Sequence, residues 1–97
     1  MNTHTALTIA TAKHYTNDGR DAWKSSYDWE LDADTSAVLV GTRPHRMRAS
    51  YTWTASLVRW PAGDPDALEP ALERFSPEFR RRTEALAWLN AQVAALG

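Results

Sequence analysis

The sequence predicts an α+β domain of two layers, a four-stranded antiparallel sheet with a C-terminal helix packed on one face. Three observations carry that expectation. Residues Trp23 to Leu31 and Arg46 to Leu57 alternate apolar and polar side chains, the period of a strand with one wet face. Ala37-Val38-Leu39-Val40 is a short run apolar on both faces, as a central or covered strand requires. Phe79, Ala85, Leu86, Leu89, Val93 and Leu96 line up at helical spacing, interrupted by Arg82.

The elements follow in order. Thr5 to Tyr15 is rich in Thr, Ile, Leu and Ala and reads as a first strand, ending at a hairpin turn over Asn17-Asp18-Gly19. In the second, Trp23, Tyr27, Trp29 and Leu31 share one face while Lys24, Ser26, Asp28 and Glu30 share the other; Ser25 breaks the pattern. A polar turn over Asp32 to Ser36 leads to the third strand, which stops at Arg43-Pro44-His45. The fourth strand runs from Arg46 to Leu57, with Arg46, Arg48, Ser50, Thr52, Thr54 and Ser56 on its polar face. Twelve such residues span about 40 Å, so a bend is expected. Val58 and Trp60 then fall on the polar side, which predicts a bulge or an exit over a sheet edge. Pro70 opens a short helix, and Ser76-Pro77-Glu78 reads as the N-cap and first turn of the main one.

A chain of 97 residues with 43% hydrophobic content suits a single domain spanning residues 1–97. There is no cysteine, so disulfides, thiolate metal sites and a cysteine nucleophile are excluded. The first residues lack a basic head followed by an apolar run, and no apolar stretch reaches the length of a membrane span. The expectation is a cytoplasmic protein without membrane contact.

No catalytic residue, metal site or cofactor is expected. His4, His14 and His45 are scattered, and no nucleophile elbow or phosphate-cradling glycine loop is present. Asp32-Ala33-Asp34-Thr35-Ser36 opens like a calcium loop, but Ala37 stands where the glycine is needed and Arg43 where the bidentate glutamate belongs.

Charge is more informative than its net value of −1, because it comes in blocks. Residues 43–62 carry Arg43, Arg46, Arg48 and Arg59 and no acid, and Arg80-Arg81-Arg82 stand together at the start of the main helix, where the macrodipole disfavours cations. Residues 63–79 hold five acids against Arg74. The arginine face of the fourth strand suits either phosphate contact or cross-strand pairing with Asp28 and Glu30. The arginine triple suits either pairing with nearby acids or an acidic partner. Of five tryptophans, Trp23, Trp29 and Trp53 share the core parity, Trp88 lies at the rim of the helical stripe, and Trp60 is the candidate exposed anchor.

The helix sequence Thr83-Glu84-Ala85-Leu86-Ala87-Trp88-Leu89, preceded by strands, resembles the arm-type DNA-binding domains of phage integrases, in which a small sheet precedes a T-x-x-E-A-type helix. The likeness covers roughly the second half of the chain. In size, lack of catalytic motifs and bipolar surface the chain also resembles the small inhibitor proteins of phages and mobile elements, anti-CRISPR proteins among them. That resemblance implies a non-enzymatic module docking on a host protein or nucleoprotein complex, for which the charge blocks and the parity of Trp60 nominate Arg43, Arg46, Arg48, Arg59, Trp60, Arg80 and Arg81 as contact residues. The alternative is a small nucleic-acid binder using the arginine-rich strand. Free edge strands would also support a homodimer.

Overall fold

The computed structural model describes residues 6–96, so His4, Thr5 and Gly97 lie outside it. Among the described residues a 3₁₀ turn, Ile9–Thr11, precedes five strands, β1 (Lys13–Asp18), β2 (Ala22–Glu30), β3 (Thr35–Pro44), β4 (Thr52–Arg59) and β5 (Leu72–Phe75), and one helix, α1 (Arg82–Ala95), follows them. The strands form one antiparallel meander in the order β1-β2-β3-β4-β5. The architecture is the expected α+β pair of layers, with five strands instead of four.

The extra strand is the predicted short helix after Pro70. Leu72 to Phe75 pair with Arg59 back to Ser56 and cover the outer edge of β4. The chain stays extended beyond it. Ser76 Oγ accepts from the Ala55 amide at 2.7 Å, and Phe79 exchanges two backbone bonds of 2.8 Å with Trp53. Ser76-Pro77-Glu78 therefore belongs to this edge, and the helix begins five residues later than the sequence suggests, at Arg82 instead of Pro77.

The first strand also differs from expectation, because its Thr, Ile, Leu and Ala residues form the 3₁₀ turn and a strap. The Leu7 amide donates to Asn90 Oδ1 at 2.7 Å, and Asn90 Nδ2 returns a bond to the Leu7 carbonyl. Trp29 Nε1 donates to the Thr8 carbonyl at 3.0 Å. Leu7 is thereby held in the core.

The core lies between the sheet and α1. Tyr27, Trp29, Ala37, Leu39, Trp53, Ala55 and Leu57 meet Ala85, Leu89 and Val93, with Leu86, Trp88 and Leu96 packed at the margin. Register places the alternating residues of β2, β3 and β4 on this one face. Val38 and Val40, expected to be covered on both sides, are half-buried on the open face, which no second layer covers among the described residues. Among the described residues no helix is long and apolar enough to cross a membrane.

In the turn between β2 and β3 the Asp34 amide donates to Asp32 Oδ1 at 2.8 Å. That bond first, then one from the Thr35 hydroxyl, holds the Asp32 carboxyl below its ordinary 3.8. A depressed folded value means that the bond helps the turn above the ordinary value and is lost as pH falls through the folded one. NMR titration of the Asp32 carboxyl carbon should give a midpoint below 3.8; a midpoint at or above it would remove the carboxylate from the turn.

Candidate functional site

The predicted fourth strand loses its first half. Residues 45–51 form a loop, closed by a bond from the Ala49 amide to the Arg46 carbonyl, and Arg48 sits in the left-handed region at φ 63°. A side chain there costs about 1 kcal/mol. The turn carries Met47 outward, 89% exposed, between Arg46 and Arg48. Both arginines thus leave the polar strand face on which alternation had placed them. The predicted bulge is absent as well: β4 pairs with β3 without interruption from Thr52 to Arg59. Val58 keeps the open-face parity, and Arg59 turns inward to donate from Nε to Thr35 Oγ1 at 2.9 Å.

Beyond the N-terminal end of α1, the core face of the sheet continues as a row of contacts between rings and cations. Trp23 stands opposite Arg43, whose guanidinium lies 4.6 Å from the indole centroid and 5.9 Å from the Tyr51 ring. Tyr51 stacks on Trp53 at 5.5 Å, Trp53 tilts against Tyr27 at 6.3 Å, and Tyr27 lies parallel to His14 at 4.2 Å. At the other end of the row His45 meets Trp23 edge-on and its Nε2 donates to Asp18 Oδ1 at 2.9 Å. Arg82 joins from the helix, donating to the Tyr27 hydroxyl at 3.0 Å above the same ring. Ser25, the residue that spoiled the strand pattern, is buried because its hydroxyl shares a 2.8 Å bond with His14 Nε2. Arg43 Nε is buried with no hydrogen-bond partner, since the ring face beside it attracts charge but offers no acceptor.

This row fixes the arginine-rich end of the molecule. The long dimension is 47 Å, of which the ten residues of β3 supply about 33 Å, so the ends of the molecule are the ends of the strands. One end gathers Arg20 and Lys24 from the β1–β2 hairpin, Arg43, Arg46 and Arg48 from β3 and its loop, and Arg80, Arg81 and Arg82 from the entry to α1. Against these stand four acids, Asp18, Asp21, Glu78 and Glu84. The opposite end holds Glu30, Asp32, Asp34, Asp64, Asp66, Glu69 and Glu73 with Arg59 and Arg74. Arg59 donates to Thr35 and Arg74 to Gln92, and both keep their charge, so the seven acids outnumber the two arginines of that end by five.

Among the described residues the one ion pair is His45 with Asp18. The arginine triple therefore has no acid at bonding distance, and Arg81, the N-cap of α1, makes no side-chain cap. Asp28 and Glu30 stand opposite Val38 and Ser36, so they do not neutralise Arg46 or Arg48.

Of the sequence-derived site residues, Arg43, Arg46, Arg48, Arg80 and Arg81 share the arginine end. Arg59 and Trp60 do not, lying about 20 Å away along β4. Trp60 is 43% exposed in the turn after β4, where it borders a cleft of about 540 Å³ together with Asp34, Pro61, Asp64 and Pro65. Trp23, assigned to the core by its parity, is 37% exposed because α1 does not reach the end of β2. Sequence reasoning missed Met47, Trp23, Tyr51 and Arg82 as members of this surface. Among the described residues no three His, Asp or Glu converge as metal ligands would.

Comparison of the chain with protein-family models, with curated proteins and with solved structures gives no match.

Proposed function

We propose that this protein is a non-enzymatic binding module that docks by its arginine-rich end on an acidic surface of a host protein or nucleoprotein complex. The observation that carries this reading is the set of arginines without acidic partners around the projecting side chain of Met47. Arginine and methionine are favoured at protein interfaces, the one as a planar donor and the other as an adaptable apolar contact. The strained backbone at Arg48 maintains that projection.

A single-stranded nucleic acid would need free aromatic faces on which bases stack. Here Arg43 lies over Trp23 and Tyr51, while Arg82 and His14 lie against Tyr27. The open sheet face offers little to phosphate either, since Lys24 and Lys13 share it with Asp28, Glu30 and Glu73. These features favour a protein partner. An inhibitor of the anti-CRISPR type, acting in the cytoplasm of the host cell, is the biological role we attach to it, on the likeness of type noted from the sequence.

Arg46→Glu combined with Arg48→Glu should leave thermal stability within about 0.5 kcal/mol, because both side chains are exposed, and should abolish retention of the partner. Affinity capture from host lysate, with the variant run beside the parent protein, reads this directly. A partner held equally by both would sink the docking surface. Tight, steeply salt-dependent binding of DNA or RNA oligonucleotides would replace this reading with the nucleic-acid one.

A further inference from the structure

The cleft beside Trp60 has a lining whose chemistry is the inverse of the arginine tip. It is walled by an exposed indole and two prolines, Pro61 and Pro65, and rimmed by the carboxylates of Asp34 and Asp64. The Trp60 amide donates to the Asp34 carbonyl at 2.8 Å, which fixes the indole's backbone to the β2–β3 turn. Such a site accepts an apolar or polarizable side chain flanked by cations, since the indole face attracts sulfur and guanidinium while the rim attracts positive charge. A Met between two arginines meets that description, and this chain carries one at its other end, on a loop that holds it out into solvent.

We propose that the Trp60 cleft receives the Arg46-Met47-Arg48 tip of a second copy of this chain, so that the protein associates head to tail. Charge complementarity selects this occupant: the arginine end meets the acidic end, and like ends repel. The two surfaces lie at opposite ends of the 47 Å axis, so one contact leaves a free tip and a free cleft. Pairing of this heterologous kind adds copies head to tail, as an open chain or, where the rotation closes, as a ring. It uses the same tip as the docking reading without resting on it, and in an assembled chain only the terminal copy would present its tip to a host partner.

Sedimentation of the purified protein over a concentration series tests the proposal. At low salt the average mass should rise with concentration beyond twice the 10.9 kDa monomer, and the association constant should fall at least about tenfold in high salt, where charge attraction is screened. Trp60→Ala, which removes the cleft wall, and Arg46→Glu with Arg48→Glu, which reverses the tip, should each be monomeric alone. Mixed in equal amounts they should form a one-to-one complex that grows no further, because each supplies the surface the other lacks; this complex also shows that both are folded. A parent protein that stays monomeric at low salt, association by Trp60→Ala equal to that of the parent, or a mixture that fails to pair would each overturn the proposal. The two readings remain separable, since Trp60→Ala leaves the tip intact for a host partner and Arg46→Glu with Arg48→Glu does not.

Discussion

Gly41→Val is expected to lower the unfolding free energy by about 3 kcal/mol, and the melting temperature by more than about 10 °C, in denaturant and thermal melts followed by CD. Gly41 lies in the middle of β3, buried, with the Trp53 ring laid directly across it from the neighbouring strand. A Cβ at this position would stand 2.5 Å from Trp53 Cζ3 and 2.6 Å from Cη2. The indole has nowhere to retreat. Tyr51 and Tyr27 flank it, and the backbone of Trp53 is tied on its other side to Phe79 by two bonds. Displacing Trp53 would also shift Tyr51 away from Arg43, so the damage should reach the arginine end. Stability within about 0.5 kcal/mol of the parent would mean that Trp53 does not rest on this glycine.

Leu89→Ala should cost a similar amount, about 3 kcal/mol, for a different reason. Leu89 is 0% exposed and stands midway along the packed face of α1 between Ala85 and Val93. The helix has little stability of its own: no side chain caps its N-terminus, and Arg80 to Arg82 oppose its dipole. Fourteen residues so placed stay helical through what they bury. Removing the central leucine therefore removes both packing and the reason for the helix, whereas Ala87→Ser on the exposed side should change stability by less than about 0.5 kcal/mol. A loss of under about 1 kcal/mol for Leu89→Ala would show that the helix is not anchored at this position.

The parts of the fold legible in the sequence are those where one face is buried and the other wet. Tyr27 and Trp29 in β2 lie on the expected buried face, Leu39 of the apolar run in β3 is buried with them, and Ala85, Leu89 and Val93 form the expected helical stripe. The alternation from Arg46 to Tyr51 misled because Met47 and Ala49 supply the pattern without burial; Met47 is left in solvent. At Ser76-Pro77-Glu78 the serine hydroxyl does accept an amide hydrogen, but from Ala55 on β4 instead of from a helix. The four residues Leu-Glu-Arg-Phe of β5 are too few for a period to declare itself, and pairing with β4 decides their conformation.

Of the candidate site, the charge blocks were visible and their grouping was not. Arg43 and Arg82 approach the same aromatic row only through strand register and the entry angle of α1, which no local pattern encodes. Trp60 was found as an exposed ring by its parity. That parity did not reveal that β4 would carry it to the end opposite the other named residues.

The meander order has a kinetic consequence. Each strand pairs with its neighbour in the chain, so every hairpin can close over a connection no longer than the segment between β4 and β5, without waiting for a distant partner. Short loop closures place such a topology towards the fast side for a sheet protein. The strap is the exception, because Leu7 meets Asn90 across 83 residues and can form only after the helix has docked. Folding should therefore run from the central hairpins outward, with Leu7 and its strap the last to be locked in place.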